Sequence, residues 1–265
     1  MKIQGEELWS GTSTELLKAL HILTRDGKIN ADSRRKLKQV HHLTQLIEPT
    51  LQKLLSKNES VNIIDVGAGK SYLGFILYDL LLQNMPSTKL IAIESRPELV
   101  EVSKKLARDS HFERMSFVNS KVEEVNLSEN VQLVCALHAC DTATDDAILL
   151  GLKNNTQAFA LVPCCQAELA TQLSLKHPLS GHPLHRREFG SHLTNVIRGL
   201  FLNANGFKVT VTELVGWEHS MKNEFILAEK VSTPDHPESK KAREILLKLV
   251  QEFSVQPKLL SYFSG

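Results

Sequence analysis

The chain has 265 residues, of which 42% are hydrophobic, and it carries 31 Lys and Arg against 30 Asp and Glu. This length and hydrophobic content suffice for one large domain with a full core, so they exclude disorder over most of the chain. The net charge of +1 excludes a global field that would attract nucleic acid or an anionic membrane, and we predict neither a DNA nor a membrane partner.

The first 57 residues predict a helical region that is separate from the rest of the chain. Thr14 to Thr24 carries leucines at helical spacing, and Asp32 is placed to cap a second helix. Pro49 is expected to kink or interrupt this second helix, because proline lacks the N–H that a helix interior needs. The basic run from Arg34 to Lys38 is most often a solvated helix face, and contact with RNA phosphates is the alternative.

The apolar run that begins at Val61 ends in Asp65-Val66-Gly67-Ala68-Gly69. This pattern predicts a buried parallel strand that turns tightly into a helix. Gly67 and Gly69 lack a Cβ atom, so the chain can adopt a left-handed turn and a ligand can lie against bare backbone. A second apolar run ends at Glu94, which is placed to accept hydrogen bonds from the two hydroxyls of a ribose. We therefore predict a nucleotide-type pocket with solvent-facing acids at two successive strand ends.

Several types of ligand are alternatives for this pocket, and the spacing of the glycines distinguishes among them. A phosphate-binding P-loop ending at Gly69-Lys70-Ser71 requires a glycine where the chain has Ile64. A dinucleotide fingerprint requires its third glycine two positions before Gly74, so an oxidoreductase that binds NAD is kept only as an alternative. S-adenosylmethionine has no pyrophosphate and requires an acid near the first turn, which Asp65 supplies. A tight turn without any ligand is the remaining alternative.

From residue 61 onward, predicted strands alternate with helices, which is typical of an α/β protein with a parallel sheet and helices on both faces. The last two strands are joined by a short loop and predict an antiparallel pair at the end of the sheet. We divide the chain into a helical region (1–57), a strand and helix domain (58–231), and a C-terminal linker and helix (232–265). The predicted strands are 61–66, 89–94, 115–119, 131–137, 157–163, 207–215 and 223–230, with helices between the first five and at about 190–205.

Chemistry in such a sheet lies at the carboxyl ends of the strands. The fourth strand is followed by His138 and Asp141, and the fifth by Cys164 and Cys165. His138 is a candidate general base, Asp141 is a candidate base or the N-cap of the next helix, and the cysteines are candidate nucleophiles. A thiolate that adds to a pyrimidine ring is a further alternative for these cysteines, and buried inert thiols are the simpler interpretation.

Three motifs together resemble one methyltransferase family. They are Asp-x-Gly-Ala-Gly-Lys-x-Tyr-Leu at 65–73, Leu-His-x-Cys-Asp-x-Ala-Thr-Asp at 137–145, and Cys-Cys at 164–165. The family includes the methyltransferase-like 25 proteins, the glutathione-transferase C-terminal-domain-containing protein and the Trm13-type tRNA ribose methyltransferases. The resemblance covers about residues 33 to 230. It departs at Asp141, where many relatives carry glycine, at Gln166-Ala167, and in the absence of the N-terminal zinc module of the tRNA enzymes.

The resemblance implies a Rossmann-like class I methyltransferase fold, with a mostly parallel seven-stranded sheet, an antiparallel final strand and additional N-terminal helices. It implies S-adenosylmethionine as cofactor and methyl transfer as reaction, with RNA (tRNA or rRNA) as the expected acceptor and a protein or small molecule as alternatives. A catalytically inactive RNA- or protein-binding module on the same fold is an alternative of another class. The cofactor site would consist of Asp65, Gly67, Ala68, Gly69, Tyr72, Glu94, Ser95, Lys121, Val122, Leu137 and His138, and the catalytic residues would be His138, Asp141, Cys164 and Cys165.

The segment 176–187 is rich in histidine, proline and basic residues, and it follows the fifth predicted strand. Its position predicts a lid over the acceptor pocket, where Arg186 and Arg187 meet phosphate. A zinc site from its histidines and a cysteine matches no closed tetrahedral spacing, so we predict no metal.

The N-terminus lacks the apolar segment of a signal peptide, and no run approaches the roughly 20 apolar residues of a membrane span. Adjacent cysteines do not suit a disulfide framework. These features predict a cytoplasmic protein with free thiols, and the sequence predicts no oligomeric state.

Overall fold

A seven-stranded sheet lies at the centre of the protein, whose computed structural model describes residues 2–3, 6–7, 13–24, 26–29, 31–127, 129–137, 139, 141–163, 166–214 and 224–263. A short antiparallel pair, β1 (Lys2–Ile3) and β2 (Glu6–Glu7), precedes it. The strands of the sheet are β3 (Val61–Val66), β4 (Thr88–Glu94), β5 (Met115–Asn119), β6 (Leu133–Leu137), β7 (Ala158–Val162), β8 (Phe207–Glu213) and β9 (Glu224–Lys230).

Helices cover both faces of this sheet. They are α1 (Thr14–Ala19), α2 (Ala31–Leu55), α3 (Tyr72–Leu80), α4 (Pro97–Asp109), α5 (Ala143–Lys153), α6 (Glu168–Gln172), α7 (Pro183–Ala204) and α8 (Pro237–Phe253). Three short 3-10 turns lie at Leu82–Asn84, Val122–Glu124 and Lys258–Phe263.

The strands are ordered β5-β4-β3-β6-β7-β9-β8 across the sheet. The strands β3 to β7 pair in parallel, and β9 runs antiparallel to both β7 and β8. This arrangement confirms the predicted fold class. The chain builds outward from β3 through β4 and β5 and then returns to place β6 on the other side of β3. Ligands of open α/β sheets bind at such a reversal, beside the carboxyl ends of the strands.

The observed strand bounds differ from the predicted ones by at most two residues. Two of the helices predicted after residue 61 are wrong in presence or in bounds. Among the described residues between β5 and β6, only the turn Val122–Glu124 is helical, because this connection holds too few apolar residues at helical spacing to cover the sheet. The helix expected from about residue 190 begins at Pro183, because proline is well suited to the first position of a helix.

Helix α2 is continuous through Pro49, so of the two predicted outcomes, a kink or an interruption, the interruption does not occur. Asp32 lies in the first turn of α2 and therefore not at the predicted N-cap position. The buried face of α2 explains the continuity. Leu43, Ile47 and Leu51 are all fully buried, and each such side chain contributes about 1.5–3 kcal/mol. Together they outweigh the roughly 3 kcal/mol that an interior proline costs.

The N-terminal helices share a hydrophobic core with the sheet, although the sequence predicted a separate region. Leu16 and Leu17 of α1 belong to the same buried cluster as Phe75 of α3. The N–H of Ser13 also donates to Asp79 Oδ2 of α3 at 2.9 Å. In packing, helices α1 and α2 are therefore continuous with the sheet, and the boundary drawn at residue 57 stays a prediction. Among the segments that the structure describes, none of the helices combines the length and the apolar character that a bilayer crossing requires.

Candidate functional site

The turn after β3 lies at the reversal of the sheet. Gly67 and Gly69 have φ angles of 63° and 58°, which are strained for residues with a side chain. Two hydrogen bonds fix the turn to β4, because Ala68 N–H donates to the carbonyl of Ile93 at 3.0 Å and Gly69 N–H donates to Glu94 Oε2 at 2.7 Å. The left-handed turn of bare backbone is as the sequence predicted, and the structure adds the two hydrogen bonds that hold it against β4.

Asp65 is buried inside β3, with 2% of its surface exposed. Its Oδ2 accepts a hydrogen bond from Ser71 Oγ at 3.3 Å, whereas Oδ1 has no partner among the described residues. Burial raises the pKa of Asp65 to about 7; the charge of Glu94 also raises it, against hydrogen bonds from Ser71 and the N–H of Gly74. An unpartnered buried carboxylate oxygen costs about 1–3 kcal/mol, so this oxygen is the best sign of a ligand site.

Gly74 is a residue of this site that sequence reasoning used only as an argument against a dinucleotide. It lies in α3, directly against Asp65. A Cβ atom at this position would lie 2.5 Å from Ser71 Oγ and 3.2 Å from Asp65 Oδ2. A side chain at this position would therefore require the side chains of Ser71 and Asp65 to move, so glycine lets the helix lie close to the carboxylate in its present position.

Glu94 is also buried, with 7% of its surface exposed. The prediction that both acids face solvent is therefore wrong. Its carboxylate accepts from the N–H groups of Gly69 and Arg96 and from the Arg96 guanidinium, whose Nε lies 2.9 Å from Oε1. Burial by itself raises the pKa of Glu94, but the hydrogen bonds from Arg96 and Gly69 outweigh it and hold the pKa below its usual value. Glu94 is therefore an ionised acceptor at the strand end.

Asn119 stabilises the end of β4, a role that the sequence did not predict. Its Nδ2 donates to the carbonyls of Glu94 and Ser95, each at 3.0 Å. The pairing of Glu94 with Asn119 across β4 and β5 could not be read from the sequence, because strand register depends on the folded sheet.

The other predicted cofactor residues differ in exposure. Ser95 is exposed and its Oγ lies 3.4 Å from Glu94 Oε1. Lys121 is exposed at the start of a 3-10 turn, whereas Val122 is partly buried. Tyr72 and Leu137 are also partly buried, at the start of α3 and the end of β6. The cofactor role of all five stays a prediction.

Asp141 joins the loops that follow β6 and β7. It has a φ of 50°, and its Oδ1 accepts from the N–H groups of Ala167 and Glu168 at 2.8 and 3.0 Å. It is not the N-cap of α5, a position that Thr142 occupies. Asp141 therefore positions the two loops, which is a different contact from the predicted base or N-cap.

Four residues of the predicted chemistry, His138, Cys140, Cys164 and Cys165, lie outside the described residues. Cys135 lies inside β6 and is fully buried. Burial, with a contribution from the charge of Asp65, raises the pKa of its thiol well above the usual value, so Cys135 is an inert core residue.

A buried polar network supports the same two loops from α7. Arg198 is 1% exposed and forms two hydrogen bonds with Asp145, at 2.8 and 2.9 Å. Its Nη2 also donates to the carbonyl of Asp141 at 2.7 Å. Nearby, Asn195 Oδ1 accepts from Gln166 Nε2 at 3.1 Å. Arg198 thus connects α7 with the start of α5 and with the loop that contains Asp141.

The basic segment before and at the start of α7 is only partly a loop. His185, Arg186 and Arg187 lie in the first turns of α7, so this part of the segment is helical, and its role as a lid stays a prediction. Arg187 pairs with Glu188 at 2.9 Å. No group of three or more potential metal ligands is found among the described residues.

Comparison with solved structures shows what this fold resembles. The SAH-bound methyltransferase PaMTH1 of Podospora anserina is 11% identical, with 84% of this chain and 90% of that chain covered and a TM-score of 0.52. Magnesium protoporphyrin IX methyltransferase of Synechocystis PCC 6803 is 11% identical over 83% of this chain and 95% of that chain, with a TM-score of 0.48. TrmK of M. capricolum is 14% identical over 85% and 90%, with a TM-score of 0.44. No curated protein matches the chain.

The reversal of the sheet, the left-handed turn and the two buried carboxylates beside it are the features of a Rossmann-like domain. Residues 35–172 match the model of a protein family described as a methyltransferase domain. This match spans more than half of the chain, which therefore belongs to that methyltransferase family. The protein is an enzyme that depends on S-adenosylmethionine.

Proposed function

We propose that the edge formed by Asp65, the Gly67 to Gly69 turn and Glu94 binds S-adenosylmethionine, and that the enzyme methylates RNA. The observation that carries the cofactor assignment is the unpartnered, buried Oδ1 of Asp65 beside the bare backbone of the turn. S-adenosylmethionine supplies a methyl group that its sulfonium already activates. The cytoplasmic location stays a prediction.

The residues present fit the parts of this cofactor. Oδ1 of Asp65 can accept a hydrogen bond from an ammonium group. Among the described residues, hydrogen bonds reach only the other carboxylate oxygen, Oδ2. Glu94 offers an ionised carboxylate for ribose hydroxyls, and Lys121 and Val122 are proposed to flank the adenine. The P-loop alternative finds no support, since Ile64 stands where that motif requires a glycine.

For the transfer step we propose that His138 accepts the proton of the acceptor. Asp141 is then a positioning residue, because its Oδ1 already accepts two backbone N–H groups. Cys164 and Cys165 remain proposed nucleophiles only for the alternative in which a thiolate adds to a pyrimidine ring.

Exposed basic residues support RNA as the acceptor. Arg187, Lys176 and His177 are exposed at or before the start of α7, in the stretch of chain that follows β7. The motifs shared with the branch that contains the Trm13-type tRNA enzymes favour the same acceptor. Leu175, Leu179 and Leu184, which are 64%, 51% and 58% exposed, favour a protein acceptor as the second candidate.

The acceptor is tested by transfer of tritiated methyl groups into fractionated RNA, protein and metabolites. We expect label in RNA, and about tenfold less label for Arg186→Ala/Arg187→Ala at moderate salt, because each lost phosphate contact weakens binding. The matched control is Lys240→Ala/Lys241→Ala, at the start of α8 beyond the opposite edge of the sheet. Label in protein alone, or an equal loss in both double variants, would contradict an RNA acceptor held by α7.

The cofactor site is tested by the pH dependence of binding of S-adenosylhomocysteine, measured by calorimetry. Asp65 has a pKa of about 7 in the free protein, and its ionised form is the one that accepts an ammonium group. We therefore expect affinity to rise roughly eightfold between pH 6 and pH 7.5, as the ionised fraction of such a group rises. NAD should not bind. A constant affinity over this range, or binding of NAD instead, would contradict the assignment.

A further inference from the structure

The guanidinium of Arg96 covers the outer side of the Glu94 carboxylate. Arg96 Nε donates to Oε1 at 2.9 Å and Nη2 donates to Oε2 at 3.3 Å, so both oxygens are engaged by one side chain. The Arg96 side chain is 58% exposed, whereas that of Glu94 is 8% exposed. The carboxylate is therefore shielded from solvent by a cation that itself faces solvent.

The remaining donors to this carboxylate come mainly from the backbone. The N–H groups of Gly69 and Arg96 donate to Oε2 and Oε1, at 2.7 and 3.0 Å. These N–H groups are fixed by the turn after β3 and by the start of α4. The guanidinium, at the end of a long and half-exposed side chain, is the donor that can leave without any movement of the backbone.

The guanidinium also lies over the turn. A Cβ atom at Gly69 would lie 3.7 Å from Arg96 Nη2, which places this nitrogen against the bare backbone that the proposed site offers to a ligand. A ribose presents two neighbouring hydroxyl donors, and a guanidinium presents two neighbouring N–H donors, to the same pair of carboxylate oxygens. Both groups cannot occupy this position together.

We propose that Arg96 is an internal competitor of the ribose for Glu94, and so a residue that sets the affinity of the nucleoside site. This inference rests on the proposed cofactor site. In the free protein the guanidinium satisfies Glu94 and keeps it ionised; a nucleoside binds only when the guanidinium moves away into solvent. Removal of the Arg96 side chain therefore strengthens nucleoside binding. If Arg96 instead contacted the ligand directly, its removal would weaken nucleoside binding.

The test compares wild-type protein with Arg96→Ala by calorimetry, with adenosine and S-adenosylhomocysteine as ligands. We expect both ligands to bind about threefold to fivefold more tightly to Arg96→Ala, a size set by the modest strength of partly exposed ion pairs. Arg108→Ala is the matched control, because Arg108 is exposed near the far end of the same helix, α4. Its affinities should equal those of the wild type.

A double-variant cycle shows whether the effect passes through Glu94. In a Glu94→Gln background the ion pair is absent, so Arg96→Ala should give no further gain. A gain that persists in this background, or weaker or unchanged binding by Arg96→Ala alone, overturns the role of Arg96 and leaves the cofactor site intact. If neither ligand binds to any of the variants while circular dichroism shows them folded, the cofactor site itself is wrong and this inference falls with it.

Discussion

Asp65→Asn is expected to lower the affinity for S-adenosylhomocysteine by at least about 100-fold, because an amide lacks the charge that pairs with an ammonium group. The same variant should be more stable than the wild type at pH 8, by about 1–3 kcal/mol, since it removes a buried charge with an unpartnered oxygen. Calorimetry and chemical unfolding measure the two effects. Ligand binding thus explains why the protein has an aspartate that destabilises its fold at this position.

The pH dependence of stability shows at which pH Asp65 destabilises the fold. The folded pKa of Asp65 is raised from 3.8 to about 7, so its contribution to stability is complete below about pH 4 and is lost as the pH rises through 7. The stability difference between Asp65→Asn and the wild type should therefore grow from pH 4 to pH 8.

Asp79→Asn is the matched control, because Asp79 is also a buried acid but contacts α1 and lies outside the turn. It should leave affinity for S-adenosylhomocysteine unchanged. If Asp65→Asn binds as tightly as the wild type, or if both variants lose affinity equally, Asp65 has no specific role in the site.

The sequence predicted the strands and the glycine turn because both depend on local patterns. Mostly apolar segments of six and seven residues form β3 and β4, and Gly67 and Gly69 take the positive φ angles that glycine adopts without strain. The start of α7 also carries a local signal, which the prediction of a later start did not use, since Pro183 stands where proline begins helices.

The environment of the acids could not be read in the same way. Asp65 and Glu94 look solvent-facing in the sequence, because a strand-end acid usually is. Their burial depends on α3 lying close at Gly74 and on Arg96 folding back over Glu94. Both contacts are tertiary, and the first needs the close helix packing that only the folded structure shows.

The buried ion pair of Arg198 is even harder to predict from the sequence. A charged residue between Ile197 and Phe201 on a helix is a visible signal that the residue either faces solvent or has a buried partner. The partner, Asp145, is 53 residues away in the sequence and lies at the start of α5. No local pattern connects the two residues, so their ion pair appears only in the fold.

Arg198→Met is expected to be among the most destabilising single changes in the protein. Arg198 and Asp145 are 1% and 2% exposed, and loss of one partner leaves the other as an uncompensated buried charge. Breaking such a pair costs about 3–5 kcal/mol, which lowers the melting temperature by roughly 6–20 °C for a chain of this size. Thermal unfolding followed by circular dichroism measures the change.

Two further variants separate the buried charge from loss of the side chain. Lys104→Met removes an exposed ion pair with Glu101 and should change stability by less than about 1 kcal/mol. Arg198→Met/Asp145→Leu should recover much of the loss, because it leaves no charge of this pair buried. An Arg198→Met variant no less stable than Lys104→Met would show that the buried pair is not needed.

The same variant also tests how α7 supports the site. Arg198 holds the carbonyl of Asp141, whose carboxylate joins the loops after β6 and β7, whereas Asp65 and Glu94 lie on the other side of the reversal. At temperatures where Arg198→Met stays folded, we expect affinity for S-adenosylhomocysteine close to that of the wild type and methyl transfer at least about tenfold slower, since catalytic groups must be held within a fraction of an ångström. Equal losses of binding and transfer would instead indicate general loosening of the fold, because a positioning role affects only the transfer.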